Sequence, residues 1–263
     1  MDLATAKLSA AAAGINVKSK PYLISRPDAN PKTAKNQKFG VLTSPLHLAP
    51  ADLSGFNVCA QASAGCIEAC LHTAGNPAHM AGKERARIAK TRFYFQNREA
   101  FLTLLVDDMR WLARKADRQG LRAGLRLNAT SDIPWERVIY AEGRPVTDVA
   151  EDLGIALYDY TKITKRALAT PYHLTFSRTE DNDADCLQVL QAGNNVAAVF
   201  LVNKANPLPA TWNGYQVIDG DESDWRPGDK FGVVVGLKAK GRAKADSSGF
   251  VIRAQAPALQ VAA

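Results

Sequence analysis

The sequence predicts an α/β protein built as a single partial or irregular βα barrel, with mostly parallel strands and a cysteine-rich loop near the first strand. Beyond residue 120, short apolar segments alternate with polar loops and helical patterns, as in chains of parallel strands with helical crossovers. Segments 196–201 and 232–235 are apolar throughout, which is typical of strands buried on both faces. Nearly every predicted strand ends in polar residues, as strands do at the catalytic rim of a βα barrel.

Changes in composition divide the chain into three parts. Residues 1–36 are rich in Ala, Lys, Pro and Asn and have no sustained hydrophobic period, so they are predicted to form a weakly ordered basic N-terminal segment. Residues 37–253 carry the predicted strands and helices and form one βα-barrel-like domain. Residues 254–263 are expected to be a frayed C-terminal tail.

The elements of the domain follow from their periodicities. Residues 38–48 alternate enough to form a strand or hairpin arm. Apolar residues in 82–119 recur at intervals of three to five, and the segment is too long for one average helix, so two helices broken near 96–98 are expected. Further strands are predicted at 121–128, 156–160, 172–177, 195–202, 215–218 and 231–237 and after Gly249, and short helices at 148–153 and 184–192.

Composition excludes several classes of protein. The 263 residues are 46% hydrophobic and 22% charged, which excludes a disordered chain, a collagen-like repeat and a disulfide-dense miniprotein. No stretch approaches 18 consecutive apolar residues, and the N-terminus lacks the pattern of a secretory signal. We therefore expect a cytoplasmic protein with no membrane partner.

The charge of the chain permits contact with nucleic acid. The formal net charge is +7, and residues 1–36 contribute +4 of it, with six basic against two acidic residues. A basic segment, 83–92, is followed by Phe93 and Tyr94. In a complex with nucleic acid, the basic side chains would contact the phosphates and the two rings would stack on bases. The alternative is that the basic residues form a solvated face and a solubilising arm.

Three of the four cysteines form the main candidate for chemistry. Cys59, Cys66 and Cys70 have the spacing C-x6-C-x3-C, and in a cytosolic protein such a cluster favours metal binding over disulfides. Each thiolate would ligate one iron of a [4Fe–4S] cluster and leave the fourth iron for a small-molecule cofactor. A zinc site is the alternative and needs a fourth ligand. The candidates for that ligand are His72, His79 and Cys186. The remaining alternative is three unligated thiols.

Polar residues at the predicted strand ends are candidates for holding the cofactor and a substrate. The expected cofactor-binding residues are Asn128, Ser131, Asp132, Asp159, Lys162 and Ser177. The expected substrate-binding residues are Asp219, Asp221, Lys238 and Lys240. Carboxylates would accept hydrogen bonds from a ribose or an amino group, and lysines would bind a carboxylate or phosphate. The alternatives are a helix cap at Ser131-Asp132, an ordinary turn at Asp219–Asp221, and solvated lysines.

The cysteine segment carries a family resemblance. Val58-Cys59, Ser63-Ala64-Gly65-Cys66 and Cys70-Leu71 resemble the signature of an uncharacterised phage and plasmid family, the gene-product-eighty-eight proteins. Further stretches that match are 90–92, 125–128, 131–133, 158–162, 174–177, 217–221 and 236–241. The resemblance extends from about Phe39 to Phe250 and covers most of the chain.

A more distant resemblance is to phage proteins of the radical-S-adenosylmethionine type. In those proteins a Ser-x-Gly-Cys motif is followed by Ser-Asp and then by Thr-Lys. The same three motifs occur in that order here and end at Cys66, Asp132 and Lys162. It implies a partial or full βα barrel, a three-cysteine [4Fe–4S] loop after the first strand and S-adenosylmethionine as cofactor. The superfamily's usual spacing is C-x3-C-x2-C, from which this chain departs. With the phage resemblance and the positive charge, we expect an enzyme acting on a nucleotide or nucleic-acid base. The alternative is a non-enzymatic nucleic-acid-binding protein stabilised by zinc or a cluster.

Overall fold

A sheet of mostly parallel strands organises the chain in the computed structural model, which describes residues 1–70, 81–168, 172–203 and 205–253. The helices are α1 (Leu3–Ala12), α2 (Pro31–Ala34), α3 (Ala64–Glu68), α4 (Ala81–Gln96), α5 (Arg98–Asp117), α6 (Val146–Asp152), α7 (Thr164–Leu168) and α8 (Asp183–Gln191). The strands are β1 (Val41–Pro45), β2 (Arg122–Arg126), β3 (Ile139–Ala141), β4 (Arg144–Pro145), β5 (Ile155–Thr161), β6 (His173–Ser177), β7 (Val196–Leu201), β8 (Thr211–Trp212), β9 (Tyr215–Asp219), β10 (Val234–Lys238) and β11 (Val251–Arg253).

Six parallel strands lie side by side in the order in which the chain forms them. The sheet has the order β1-β2-β5-β6-β7-β10-β9-β8, with β11 paired to β7, and β8 is antiparallel to β9. The predicted α/β class with mostly parallel strands is confirmed. Across the described ranges no pairing joins β1 to β8, so the sheet is open and the predicted barrel is not closed. Because neighbouring strands are parallel, their carboxyl ends meet at one edge of the sheet.

Most of the longer elements match their predicted positions. Residues 82–119 divide as expected, because α4 ends at Gln96 and α5 begins at Arg98. Gly120 follows α5 with a φ of +63°, a left-handed conformation that glycine adopts without strain. The sequence analysis did not predict α1, α2, α3, α7, β3, β4 and β8, most of which have only two to five residues. Such short elements contain too little of a hydrophobic period to be recognised.

Helix α5 supplies the centre of the main core. Phe101, Leu105, Met109 and Leu112 recur at helical spacing, and all four are fully buried. They belong to a hydrophobic cluster that also contains residues of α1 and β2. Burying one face of a helix in this way supplies most of its stability.

The N-terminal segment differs from the prediction of weak order. Leu3–Ala12 forms α1, whose Ala6 and Ala10 are fully buried in the main core. Leu23 and Ile24 are also buried there. A helix made largely of alanine shows no clear apolar stripe, so its buried face has no pattern in the sequence. The predicted frayed tail, 254–263, lies outside the described residues.

Helix α5 also holds the N-terminal segment through a carboxylate. Asp108 is fully buried and accepts hydrogen bonds from the backbone N–H groups of Tyr22, Leu23 and Ile24, at 2.7–3.2 Å. The neighbouring Asp107 forms an ion pair with Lys20 at 2.6 Å. Two adjacent acidic residues therefore fix one stretch of backbone on α5.

No helix within the described ranges has the length and apolarity needed to cross a membrane.

The buried carboxylate contributes more to stability than its neighbour. We expect Asp108→Asn to lower the free energy of unfolding by about 2–3 kcal/mol, because the amide lacks the negative charge that strengthens these hydrogen bonds and places an NH2 donor against the N–H of Tyr22. Asp107→Asn, the matched control, loses one partly exposed ion pair and should cost about 1 kcal/mol or less. Urea unfolding followed by circular dichroism measures both values. Equal costs in the two variants would contradict this role for Asp108.

Candidate functional site

Residues 58–70, here called the cysteine segment, lie across the carboxyl ends of three strands. The carbonyl oxygen of Val58 accepts a hydrogen bond from the backbone N–H of Asp132, beyond β2, at 2.8 Å. The ammonium group of Lys162, which follows β5, interacts with the Cys66 thiol. The N–H of Gly65 donates to Glu180, beyond β6, at 2.8 Å. The segment therefore occupies the edge where the sequence predicted the polar strand ends to meet.

A short helix gives the middle of the cysteine segment its shape. Ser63 is the N-cap of α3, and its hydroxyl accepts from the N–H of Cys66 at 3.2 Å. The same hydroxyl donates to Glu180 at 2.7 Å. A Cβ atom at Gly65 would come within 2.2 Å of the Ser248 hydroxyl and within 2.9 Å of both Glu180 carboxylate oxygens. The Ser-x-Gly-Cys sequence thus supplies a cap and the space that the carboxylate needs.

The three thiols lie close enough to influence one another. Cys59, Cys66 and Cys70 are free and partly buried. Burial raises the pKa of Cys59 to about 11, and the charges of Cys66 and Cys70 act in the same direction. The Sγ atom of Cys59 is 4.0 Å from the carbonyl oxygen of Thr130. Cys59 therefore interacts electrostatically with the other two cysteines that the sequence grouped.

Two cations accompany the thiols. Burial alone would lower the pKa of Lys162, but its interactions with Cys66, Asp132 and Cys59 outweigh burial and raise it. Burial lowers the pKa of Arg87, and the electrostatic interaction of Arg87 with Cys70 offsets part of that lowering. The positive charge of Lys162 acts to lower the pKa of Cys59, but burial outweighs it and that pKa stays raised.

The predicted metal ligands within the described residues do not form a site for a single metal ion. No group of three or more Cys, His, Asp or Glu side chains in the described part of the chain is arranged to hold one metal ion. The cysteines of a [4Fe–4S] cluster bind different irons, so their sulfurs need not converge on a single ion. Of the proposed fourth zinc ligands, His72 and His79 lie outside the described residues. Cys186 is buried in the core beneath α8, where its thiol contacts Asn182 at 3.5 Å.

Two of the predicted cofactor-binding residues organise a loop. Asn128 is buried, and its side-chain oxygen accepts from the Ser131 hydroxyl, the N–H of Ile133 and the indole N–H of Trp135 at 2.8–3.0 Å. Its amide group donates to the carbonyl of Ile133 at 2.9 Å. Asn128 and Ser131 therefore fix the loop beyond β2 from which Asp132 projects.

Asp132 connects this loop to the next strand end. Its carboxylate accepts from the N–H of Lys162 at 2.8 Å and from the guanidinium of Arg166 at 2.7 Å. Arg166 also forms an ion pair with Glu136 at 2.7 Å. Asp132 thus lies beside the cysteine segment with its charge balanced by Arg166.

The remaining predicted cofactor residues lie in different surroundings. Asp159 is inside β5, fully buried, and it accepts from Arg126, from the N–H of Asn128 and from the hydroxyl of Tyr172. Burial raises the pKa of Asp159 to about 6, against the attraction of Arg126. Ser177 ends β6, and its hydroxyl has no hydrogen-bond partner among the described residues.

The predicted substrate-binding residues form a second group at the ends of β9 and β10. Asp221 forms ion pairs with Lys240 at 2.7 Å and with Lys32 at 3.3 Å. Asp219 accepts from the N–H of Asp221, and the ammonium group of Lys238 donates to the carbonyl of Asn206 at 2.8 Å. The group links the N-terminal segment to the sheet.

The basic segment on α4 is largely used inside the protein. Lys90 donates to the carbonyl of Leu23 at 2.9 Å, and burial lowers its pKa to about 8. Arg92 donates to the carbonyl of Ser54 at 3.0 Å. Only Lys83 and Arg85 of the five basic residues are exposed without such a role, since Arg87 faces Cys70.

Three residues that contact the site, Glu180, Arg87 and Arg166, are not among the site residues that the sequence predicted. Glu180 follows β6, just as the predicted polar residues follow their strands, so its position after a strand was the signal in the sequence that pointed to it. Arg87 and Arg166 lie on helices, and nothing in the local sequence distinguishes them from exposed arginines.

Comparison with known proteins gives one match. A family model described as Gene product 88 matches residues 22–254, which include the cysteine segment and every strand of the sheet. No curated protein and no solved structure matches the chain.

The contact between Gly65 and Glu180 leads to a prediction. We expect Gly65→Ala to lower the free energy of unfolding by about 2 kcal/mol, because the added Cβ displaces a carboxylate that accepts two hydrogen bonds. Gly82→Ala is the matched control, since no atom lies within 4 Å of its added Cβ. It should change stability by about 1 kcal/mol or less, in the stabilising direction. Urea unfolding tests both, and an unchanged stability in Gly65→Ala would refute the proposed crowding.

Proposed function

The chain belongs to the Gene product 88 family, and we propose that it is an iron–sulfur protein resembling radical-S-adenosylmethionine enzymes. Cys59, Cys66 and Cys70 would hold a [4Fe–4S] cluster, and S-adenosylmethionine would bind at the iron that has no cysteine. The substrate would be a nucleotide or a nucleic-acid base.

One observation carries this proposal. The cysteine segment lies across the carboxyl ends of β2, β5 and β6, because Val58 and Gly65 form hydrogen bonds beyond β2 and β6 and Cys66 interacts with Lys162 beyond β5. In α/β proteins that edge is where cofactors and substrates bind. The chain order of the six parallel strands, with the cysteines after β1, is also the order expected of a partial βα barrel.

The donor set suits a cluster. Three thiolates and an open iron are the ligation that such a centre requires, and Lys162 and Arg87 are placed to offset the thiolate charge. When bound, the cluster supplies an electron to the molecule at its open iron. The chain's own contribution is to ligate, to orient and to exclude water, since all three cysteines are partly buried.

The polar strand ends have two distinct roles in this proposal. Asn128, Asp132 and Asp159 are engaged by protein partners, so they position the loop beyond β2 and the end of β5. The Ser177 hydroxyl has no described partner and is available to a cofactor. Lys162 lies between the thiols and Asp132, where its ammonium group would meet a carboxylate of the cofactor.

Metal and sulfide analysis of anaerobically purified protein tests the proposal. We expect about four irons and four sulfides per chain, as a [4Fe–4S] cluster requires. Alanine at Cys59, Cys66 or Cys70 should abolish iron and sulfide binding. Cys186→Ala is the matched control and should retain both, because its thiol lies in the core beneath α8. The electron paramagnetic resonance spectrum of the reduced cluster should change when S-adenosylmethionine is added.

Three outcomes would overturn the proposal in different ways. One zinc per chain without sulfide would favour a structural metal, and a steep fall of DNA affinity with salt would then support the nucleic-acid-binding alternative. If the protein contains neither metal nor sulfide, the three thiols are unligated and the proposed cluster is absent. A cluster whose spectrum is indifferent to S-adenosylmethionine would retain the iron–sulfur assignment and remove the cofactor.

A further inference from the structure

A pocket of about 310 Å³ lies beside the cysteine segment, on the side of α4 and α5. We call it the Arg98 pocket, and its walls include Val58, Phe95, Arg98, Ile133, Pro134 and Arg137. Val58 and Ala60, which flank Cys59, both line it, as does Asp132. The pocket therefore adjoins the cysteine segment, and Asp132 is the one residue that it shares with those predicted to bind the cofactor.

Two arginines give the pocket an uncompensated positive charge. Arg98 and Arg137 are exposed, and neither forms an ion pair or a side-chain hydrogen bond with any described residue. The one carboxylate in the wall, Asp132, is already paired with Arg166 at 2.7 Å. Arg98 also begins α5, a helix of 20 residues whose dipole adds positive potential at this end. The pocket therefore favours an anion.

The wall between the arginines is aromatic and apolar. The guanidinium carbon of Arg98 lies 4.4 Å from the centre of the Tyr94 ring, which also lines the pocket. Phe95 is stacked on Phe56 with 4.6 Å between ring centres and 6° between planes, so its position is fixed. Aromatic rings and arginine planes are the surfaces on which single-stranded bases stack.

The size of the pocket limits the ligand. A volume near 310 Å³ is at the lower end of the range for small-molecule sites, roughly 300–1,000 Å³. Inorganic phosphate would leave the apolar wall of Val58, Ile133 and Pro134 without contacts, and an uncharged ring would leave both guanidiniums without an acceptor. A single ring system that carries one phosphate meets both requirements.

We propose that the Arg98 pocket binds one nucleoside monophosphate unit, with the base against the aromatic and apolar wall and the phosphate on Arg98 and Arg137. This deepens the proposed function by giving its substrate class a location. It rests on the proposed function only for the claim that the bound nucleotide is the substrate. A free nucleotide and a nucleotide of a single strand share this chemistry.

Calorimetric titration of the full chain tests the proposal. The probes are the four ribonucleoside monophosphates, the four nucleosides, inorganic phosphate and a single-stranded DNA 12-mer. We expect saturable binding of at least one monophosphate, with nucleoside and phosphate about tenfold weaker or more. Binding of the 12-mer alone, weakened by the same variants, would identify a strand as the source, and binding of the monophosphate alone would identify a free nucleotide.

The variants remove one interaction each. Arg98→Met and Arg137→Met keep the apolar part of the side chain and should each weaken binding about tenfold. Arg110→Met, an exposed arginine on the same helix, is the matched control and should have no effect. Thermal unfolding of each variant establishes that it folds.

Several results would overturn the inference. These are the absence of saturable binding by any monophosphate or the 12-mer, phosphate binding as tightly as the nucleotide, or affinity that survives both Arg98→Met and Arg137→Met. Iron content is measured on the same samples. Protein that contains iron and binds no nucleotide refutes this inference alone, whereas protein that binds nucleotide without iron or sulfide refutes the proposed function alone.

Discussion

The buried guanidinium of Arg126 is the interaction on which the arrangement of the sheet edge depends. Arg126 ends β2 and forms ion pairs with Asp159 of β5 at 3.3 Å and with Asp224, between β9 and β10, at 3.0 Å. The second oxygen of Asp159 accepts from the N–H of Asn128, which fixes the loop that carries Asp132. One charge thus connects two neighbouring strands, the segment before β10 and the loop against which the cysteine segment lies.

Such a network contributes specificity more than net stability. Removing three charged groups from water costs several kcal/mol per ion. The attraction between the charges offsets this cost only when their remaining donors and acceptors also form hydrogen bonds. Here the remaining acceptors are used, since the Asp224 carboxylate accepts from the hydroxyl of Tyr158 at 3.5 Å and the Asp159 carboxylate accepts from the hydroxyl of Tyr172. A shifted strand would leave buried charges unpaired, so the network disfavours alternative registers of β2 and β5. The strand ends, and with them the cysteine segment, are thereby held in one position.

The sequence predicted those parts whose signal is local. The break between α4 and α5 and most strands of the sheet follow from hydrophobic period, and the grouping of Cys59, Cys66 and Cys70 follows from their spacing. Helix α1 was missed because alanine on every face conceals which face is buried. Glu180, Arg87 and Arg166 act on residues distant in the chain, and their pairing depends on how the sheet is assembled. The engagement of Asp132 and Asn128 by protein partners depends on the same long-range geometry.

The spacing of the cysteines follows from the local structure of the segment. Cys66 lies in α3, and the chain keeps a helical turn as far as Cys70, whose N–H donates to the carbonyl of Ile67 at 3.3 Å. The six residues after Cys59 include Ser63 and Gly65, which cap α3 and admit the Glu180 carboxylate. The longer spacing therefore accommodates a capped helical turn, and it is compatible with three thiols acting together at one edge of the sheet.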